Sequence, residues 1–142
     1  TAEREAFAHA VVGRCHAAGA LVVVNDDAAL ARSIGADGLH LPARRLAEID
    51  ARPDFEWVGA SCHNRAELEK AAALGLDYAL LGAVKPTQSH PGQAGLGWDA
   101  FGKLVERLPL PVLALGGLTP NDLPDAKAAG AHGIAGIRAI WG

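Results

Sequence analysis

The chain has 142 residues, a formal net charge of −3 and a pI near 6.0, with half of its residues hydrophobic and a fifth charged. Those values describe one soluble globular domain, residues 1–142, able to bury a real core; they exclude intrinsic disorder and the basic footprint of a nucleic-acid binder. No apolar stretch reaches the roughly 18 residues of a membrane span and the charged start TAEREAFAHA is unlike a signal peptide, so no membrane partner is expected and the cytoplasm is the expected compartment.

A helical pattern over 3–18 runs through HAAG into a first apolar strand near 22–25. A second helix follows at 27–34, with Asp26 or Asp27 as its N-cap, and leads through Gly35 to a strand at 38–41. A helix at 43–50 precedes WVGAS, a strand at 57–61. Asn64, with Glu67 three residues on, opens a helix at 64–74, and Gly75 leads to a strand at 78–82. There LLGAVKPTQSHPGQAGLG begins as a strand and dissolves into a polar loop far longer than the about 4–6 residues usual in compact domains. A helix at 98–107, a strand at 112–115, a helix at 120–129 opened by Thr119 and Pro120, and a strand at 133–137 complete the chain. Gly19, Gly35, Gly75 and Gly130 stand where a helix ends in the left-handed conformation, so one helix–Gly–strand unit recurs. Cys15 and Cys62 have neither zinc-site nor disulfide spacing and read as small buried thiols; Cys62 and His63, as strand neighbours, point to opposite faces and make a poor catalytic pair.

Strictly alternating helices and strands give an α/β fold with a parallel sheet, and strands apolar throughout fit a sheet covered on both faces. A TIM-type (β/α)8 barrel and a doubly wound open sheet both satisfy the pattern. The last two strands end in the glycine-rich turns ALGGLTPND and GIAGIRAI, the position at which barrels bind phosphate through backbone N–H groups, and this favours the barrel. Six strands fall short of eight, and a typical barrel has about 250 residues. The expectation is a barrel of about six βα units whose first two strands precede Thr1 in the native gene product. Strand edges left open beside the gap invite pairing, so a homo-oligomer is an expected form.

In that fold Asn25–Asp26, Ser61–His63, the long loop and both glycine turns face one mouth. Thr87, Ser89 and His90 could grip an anion, with Pro86 and Pro91 restricting the backbone, and Gly116–Gly117 with Gly136–Arg138 would supply amides. The plainer readings are a solvated linker for the loop and a tight turn for Gly116–Gly117. His40, inside an apolar strand, reads as a core histidine, while His63 is open between ligand and bystander.

The segments VNDD, GADGLHL, GASCHN, LLGAVKPTQSHPG, PVLALGGLTPND and AAGAHGIAGIRAIW, in this order, resemble the thiamine phosphate synthase family and its sister, the thiazole tautomerase. SHPG and LGW look most like the version fused to the C-terminal end of bacterial Nudix hydrolases. The resemblance implies a transferase of thiamine biosynthesis that acts on small phosphorylated substrates, joining hydroxymethylpyrimidine diphosphate to thiazole phosphate with loss of diphosphate. It implies that Asn25 and Asp26 serve the diphosphate and its magnesium, and that Ser61 contacts substrate. Thr87, Ser89, Gly117 and the main chain of Ile137–Arg138 would hold the thiazole phosphate, with His90 at the family's usual Lys. The second magnesium carboxylate of the family is replaced here by Arg45, and Arg138 replaces a Ser of the cradle. Ala83 stands where the tautomerase has its catalytic His. The alternatives are a tautomerase-like enzyme and a non-catalytic ligand-binding domain attached to a Nudix hydrolase.

Overall fold

A computed structural model describes residues 1–87 and 91–141. Its strands are β1 Val23–Asn25, β2 Gly38–Leu41, β3 Trp57–Cys62, β4 Tyr78–Leu81, β5 Val112–Leu115 and β6 Gly133–Ala135, all parallel and neighbours in sequence order. Six parallel strands without an order reversal exclude the doubly wound alternative and match the barrel expectation, except that the barrel is not closed. The helices are α1 Ala2–Ala17, α2 Ala28–Ile34, α3 Ala43–Glu48, α4 Arg65–Ala73, α5 Gly97–Val105, α6 Leu123–Ala128 and the short α7 Arg138–Trp141, with a 3-10 turn Pro120–Asp122 before α6. No helix among the described residues is long and apolar enough to cross a membrane.

The starts and stops follow local chemistry. Asp27 caps α2 by accepting the Leu30 N–H, and Asn64 caps α4 by accepting the Glu67 N–H. Gly19, Gly35, Gly75 and Gly130 all have positive φ, as the repeated unit requires. An aspartate completes two copies of that unit. Asp37 and Asp77, each just before a strand, accept the N–H of Val22 and Val58 at 2.7 Å, while their own N–H groups donate to the carbonyls of those same residues. Each carboxylate therefore fixes the register of a strand pair where the ladder begins. Arg52 binds Asp77 and also donates to the carbonyls of Gly75, Phe55 and Glu56.

The sheet does not bury both faces alike, contrary to the expectation from its apolar strands. Leu39, Leu41, Val58, Ala60, Cys62, Ala79, Leu81, Val112 and Ala114 alternate along the strands and form the core with Leu46, Leu68, Phe101 and Ala126 from the helices. Complete burial of Phe101 alone contributes about 2 kcal/mol. The intervening residues, among them His40, Ser61, Tyr78, Leu80, Leu113 and Leu115, are only half-buried. Their face lines the interior of the unclosed barrel. Of the two cysteines, Cys62 is buried as expected, but Cys15 is half-buried on α1, a helix whose one buried residue is Val12.

Candidate functional site

The carboxyl ends of β3 to β6 frame a cleft of about 830 Å³. The loop after β4 forms one wall by continuing the sheet's pairing past the end of the strand: Val84 N–H donates to the Leu115 carbonyl, and Lys85 N–H to that of Gly116. Its far end folds back, with Leu96 and Gly97 N–H groups donating to the Ala83 and Val84 carbonyls. The base of the long loop is thus a fixed structure, which removes the linker reading for the described part. The glycines of the next turn make the approach possible. Gly116 and Gly117 have φ of 108° and 68°, and a Cβ on them would lie 2.6 Å from Ala83 Cα and 2.7 Å from the Pro86 carbonyl oxygen.

Among the described residues, the N–H groups of Gly116, Gly117, Gly136, Ile137 and Arg138 donate to no backbone carbonyl outside the regular elements. These amides, with Thr87 and the exposed Arg138, line the same cleft. N–H groups at a mouth that glycine keeps clear can donate to an anion. Lys85 adds a cation. Its Nζ donates to Asp122 Oδ1 at 2.6 Å, and Asp122 Oδ2 accepts the Thr119 N–H at 2.8 Å in a capping box. The Lys85 ammonium and then the Thr119 amide hold the buried Asp122 carboxyl below its usual range, so the lysine is tethered beside the glycine turn.

Behind the cleft, Ser61 Oγ lies 2.8 Å from His40 Nε2, and His40 Nδ1 lies 2.9 Å from the Tyr78 hydroxyl. The two rings stack with centroids 5.7 Å apart. Burial pushes the His40 imidazole below its ordinary value and the Tyr78 phenol up to about 12, so both are neutral near pH 7. His40 is therefore a hydrogen-bonded wall of the barrel interior and not a residue of the apolar core. His63 is exposed and lies 3.6 Å from Glu67, at the rim of the cleft.

The β1 end is built differently. Asn25 is exposed at the end of β1, beside His40 in the strand register. Asp26 has φ 64°, its N–H donates to the His40 carbonyl, and its carboxylate binds Arg44 Nη2 at 2.7 Å and Arg45 Nε at 2.8 Å. The Arg45 hydrogen bond holds the Asp26 carboxyl below its usual range. The resemblance implied a magnesium ion at Asp26, and the donor set does not fit one. Both oxygens already face guanidinium groups, and no three His, Cys, Asp or Glu side chains cluster for a metal among the described residues.

Of the expected site residues, Ser61, Thr87, Gly116, Gly117, Gly136, Ile137 and Arg138 come together at the cleft, whereas Asn25 and Asp26 stand apart from its lining. Ser89 and His90 lie outside the described residues. Sequence reasoning missed Lys85, Asp122, Arg44 and Tyr78. For Lys85 the available signal was its place directly before the Pro-Thr loop.

A parallel sheet with sequential strands and its loops gathered at their carboxyl ends defines an α/β protein of the TIM-barrel type. Within that class the chain belongs to the thiamine monophosphate synthase family, whose model matches residues 1–140. A thiamine-phosphate synthase of Thioalkalivibrio sulfidiphilus is 36% identical over 142 residues, covering 97% of this chain and 67% of that protein. A putative thiamine-phosphate synthase of Geobacter sulfurreducens is 36% identical over 126 residues, covering 86% of this chain and 59% of that one. A solved thiamine phosphate pyrophosphorylase from Pyrococcus furiosus superposes with a TM-score of 0.79 at 26% identity, over 97% of this chain and 67% of its own length. The chain thus spans about three fifths to two thirds of these relatives, and membership ties it to a family of thiamine biosynthesis.

Proposed function

We propose that the chain carries the thiazole phosphate half-site of a thiamine phosphate synthase. In that reaction the carbon–oxygen bond of hydroxymethylpyrimidine diphosphate breaks, and diphosphate leaves with the electron pair. The thiazole nitrogen then gives its lone pair to the resulting cation. Little covalent work falls to the protein, which has to hold both partners in line and stabilise the departing anion. The observation that carries this reading is the cleft where the Gly116–Gly117 and Gly136–Arg138 amides meet Lys85 and Thr87. That arrangement suits the phosphate of a small substrate, with Ser61 facing its ring end. The test is a coupling assay with both substrates, with and without magnesium. Formation of thiamine phosphate supports the reading; no product in either condition sinks it.

One observation favours a second reading, a domain that binds thiazole phosphate without coupling it. Asp26, expected to serve the diphosphate, is committed to Arg44 and Arg45. Attachment to a Nudix hydrolase would belong to this reading. It predicts thiazole phosphate binding and no product in the same assay. A tautomerase has no such support, since Ala83 offers no proton-transferring group.

A further inference from the structure

Among the described residues no Asp or Glu lines the cleft, and the cations that line it are Lys85 and Arg138, with His63 at the rim. Lys85 and Arg138 are not equivalent. Arg138 has no carboxylate within ion-pair distance among the described residues, whereas Lys85 Nζ lies 2.6 Å from Asp122 Oδ1. Asp122 stands directly behind the wall. Its other oxygen accepts the Thr119 N–H at 2.8 Å, two residues beyond the glycine turn, and the side chain is nearly buried. A carboxylate fixed at both oxygens cannot turn away from the lysine. The ammonium has three N–H groups and gives one to Asp122, so two remain for an anion. Lys85 therefore offers hydrogen bonds to a ligand while the carboxylate behind it offsets its charge.

That combination matters at a mouth that meets two kinds of anion. In the reaction proposed above, a monophosphate has to settle on the glycine amides while a diphosphate, first as substrate and then as product, is present at the same mouth. Hydrogen-bond donors alone favour both. A diphosphate carries more negative charge, so every charge fixed near the cleft acts on it more strongly, and an acidic group behind the donors shifts the preference toward the less charged ligand.

We propose that Asp122 is a specificity-determining residue that, through its contact with Lys85, sets the cleft to accept a phosphate monoester and to turn away a diphosphate. This rests on the reading of the cleft as a phosphate site. Asp122 itself touches no ligand and acts through its charge and through the lysine it holds.

Competition against bound thiazole phosphate, with inorganic phosphate and pyrophosphate as competitors in metal-free buffer, reads the anions that enter the same cleft. Asp122→Asn keeps the size of the side chain and removes its charge. Pyrophosphate should then compete about tenfold better and phosphate about threefold better. Lys85→Gln keeps a donor for Asp122 and leaves the carboxylate uncompensated; there pyrophosphate should compete about tenfold worse and phosphate about threefold worse. The ratio of the two affinities thus moves in opposite directions in the two variants, which a general loosening of the loop does not produce. If Asp122 only tethers the lysine, Asp122→Asn weakens both anions alike, and that result overturns the proposal, as does an unchanged ratio in either variant. Should Asp122→Asn fail to fold, the ratio in Lys85→Gln decides alone. If thiazole phosphate binds neither the wild type nor the variants, the half-site reading fails, and direct titration with the two inorganic anions decides the proposal on the same opposite shifts; binding of neither anion overturns it as well.

Discussion

Gly75 and Gly117 share nearly the same backbone conformation, φ 71° and 68°, but very different surroundings. A Cβ at Gly75 meets nothing within 4 Å, whereas at Gly117 it would lie 2.7 Å from the Pro86 carbonyl oxygen and 3.0 Å from Lys85 Cβ. Alanine in the left-handed region costs roughly 1–2 kcal/mol, offset by about 0.4–1 kcal/mol because the unfolded chain becomes stiffer. Gly75→Ala should therefore lose about 1 kcal/mol of stability and no ligand affinity. In Gly117→Ala the same strain is joined by displacement of the 85–86 backbone, an overpacking term of roughly 1–3 kcal/mol, for about 2–4 kcal/mol in total. Moving Lys85 and Thr87 away from the glycine amides should also cost at least about a factor of ten in phosphate affinity, the equivalent of about 1.4 kcal/mol. Urea unfolding followed by tryptophan fluorescence gives the first quantity, and calorimetric titration with thiazole phosphate the second. If the two variants lose equal stability and both bind like wild type, the close approach of the loop does not organise the cleft.

Other consequences are as direct. The depressed Asp122 carboxyl contributes stability that is present above about pH 4 and is lost as pH falls through its lower folded value, so Asp122→Asn should flatten the acid limb of a stability–pH profile. His40, whose folded value lies below its ordinary 6.5, works against folding once pH falls through that value, because the unfolded chain then takes up the proton more readily; His40→Asn should reduce the loss of stability between pH 7 and 5. Arg45→Asp would place a second carboxylate beside Asp26, and magnesium-dependent coupling should rise; no rise means that Arg45 is not what displaced the metal. This chain should couple at least about a hundredfold more slowly than a family member with a carboxylate at the place of Arg45 and a Lys at that of His90, the effect expected from losing even one charge contact to a leaving group.

What could be read in the sequence was local or periodic. The helix–Gly–strand unit announced the order of the elements because a left-handed helix end selects glycine over short range, and the N-caps at Asp27, Asn64 and Thr119 depend on groups within three residues. The glycine turns betrayed the cleft for the same reason. What escaped were pairings across the sheet. Lys85 and Asp122 are 37 positions apart and His40 and Tyr78 are 38 apart, and nothing in either neighbourhood names the other. Apolar strands without alternation also concealed which face lines the barrel interior, so His40 read as a core residue. Arg45 stands in the sequence as the replacement of a carboxylate, but its ion pair with Asp26 depends on the loop after β2 returning beside the end of β1.

The most direct measurement is a crystal structure of this chain with thiazole phosphate bound. The account predicts the phosphate between the Gly116–Gly117 and Gly136–Arg138 amides, with Lys85 and Thr87 within hydrogen-bonding reach and the ring toward Ser61. Density for the ligand in the groove between α5 and α6, around Trp98, Lys103 and Arg107, with the glycine amides left empty, would contradict it.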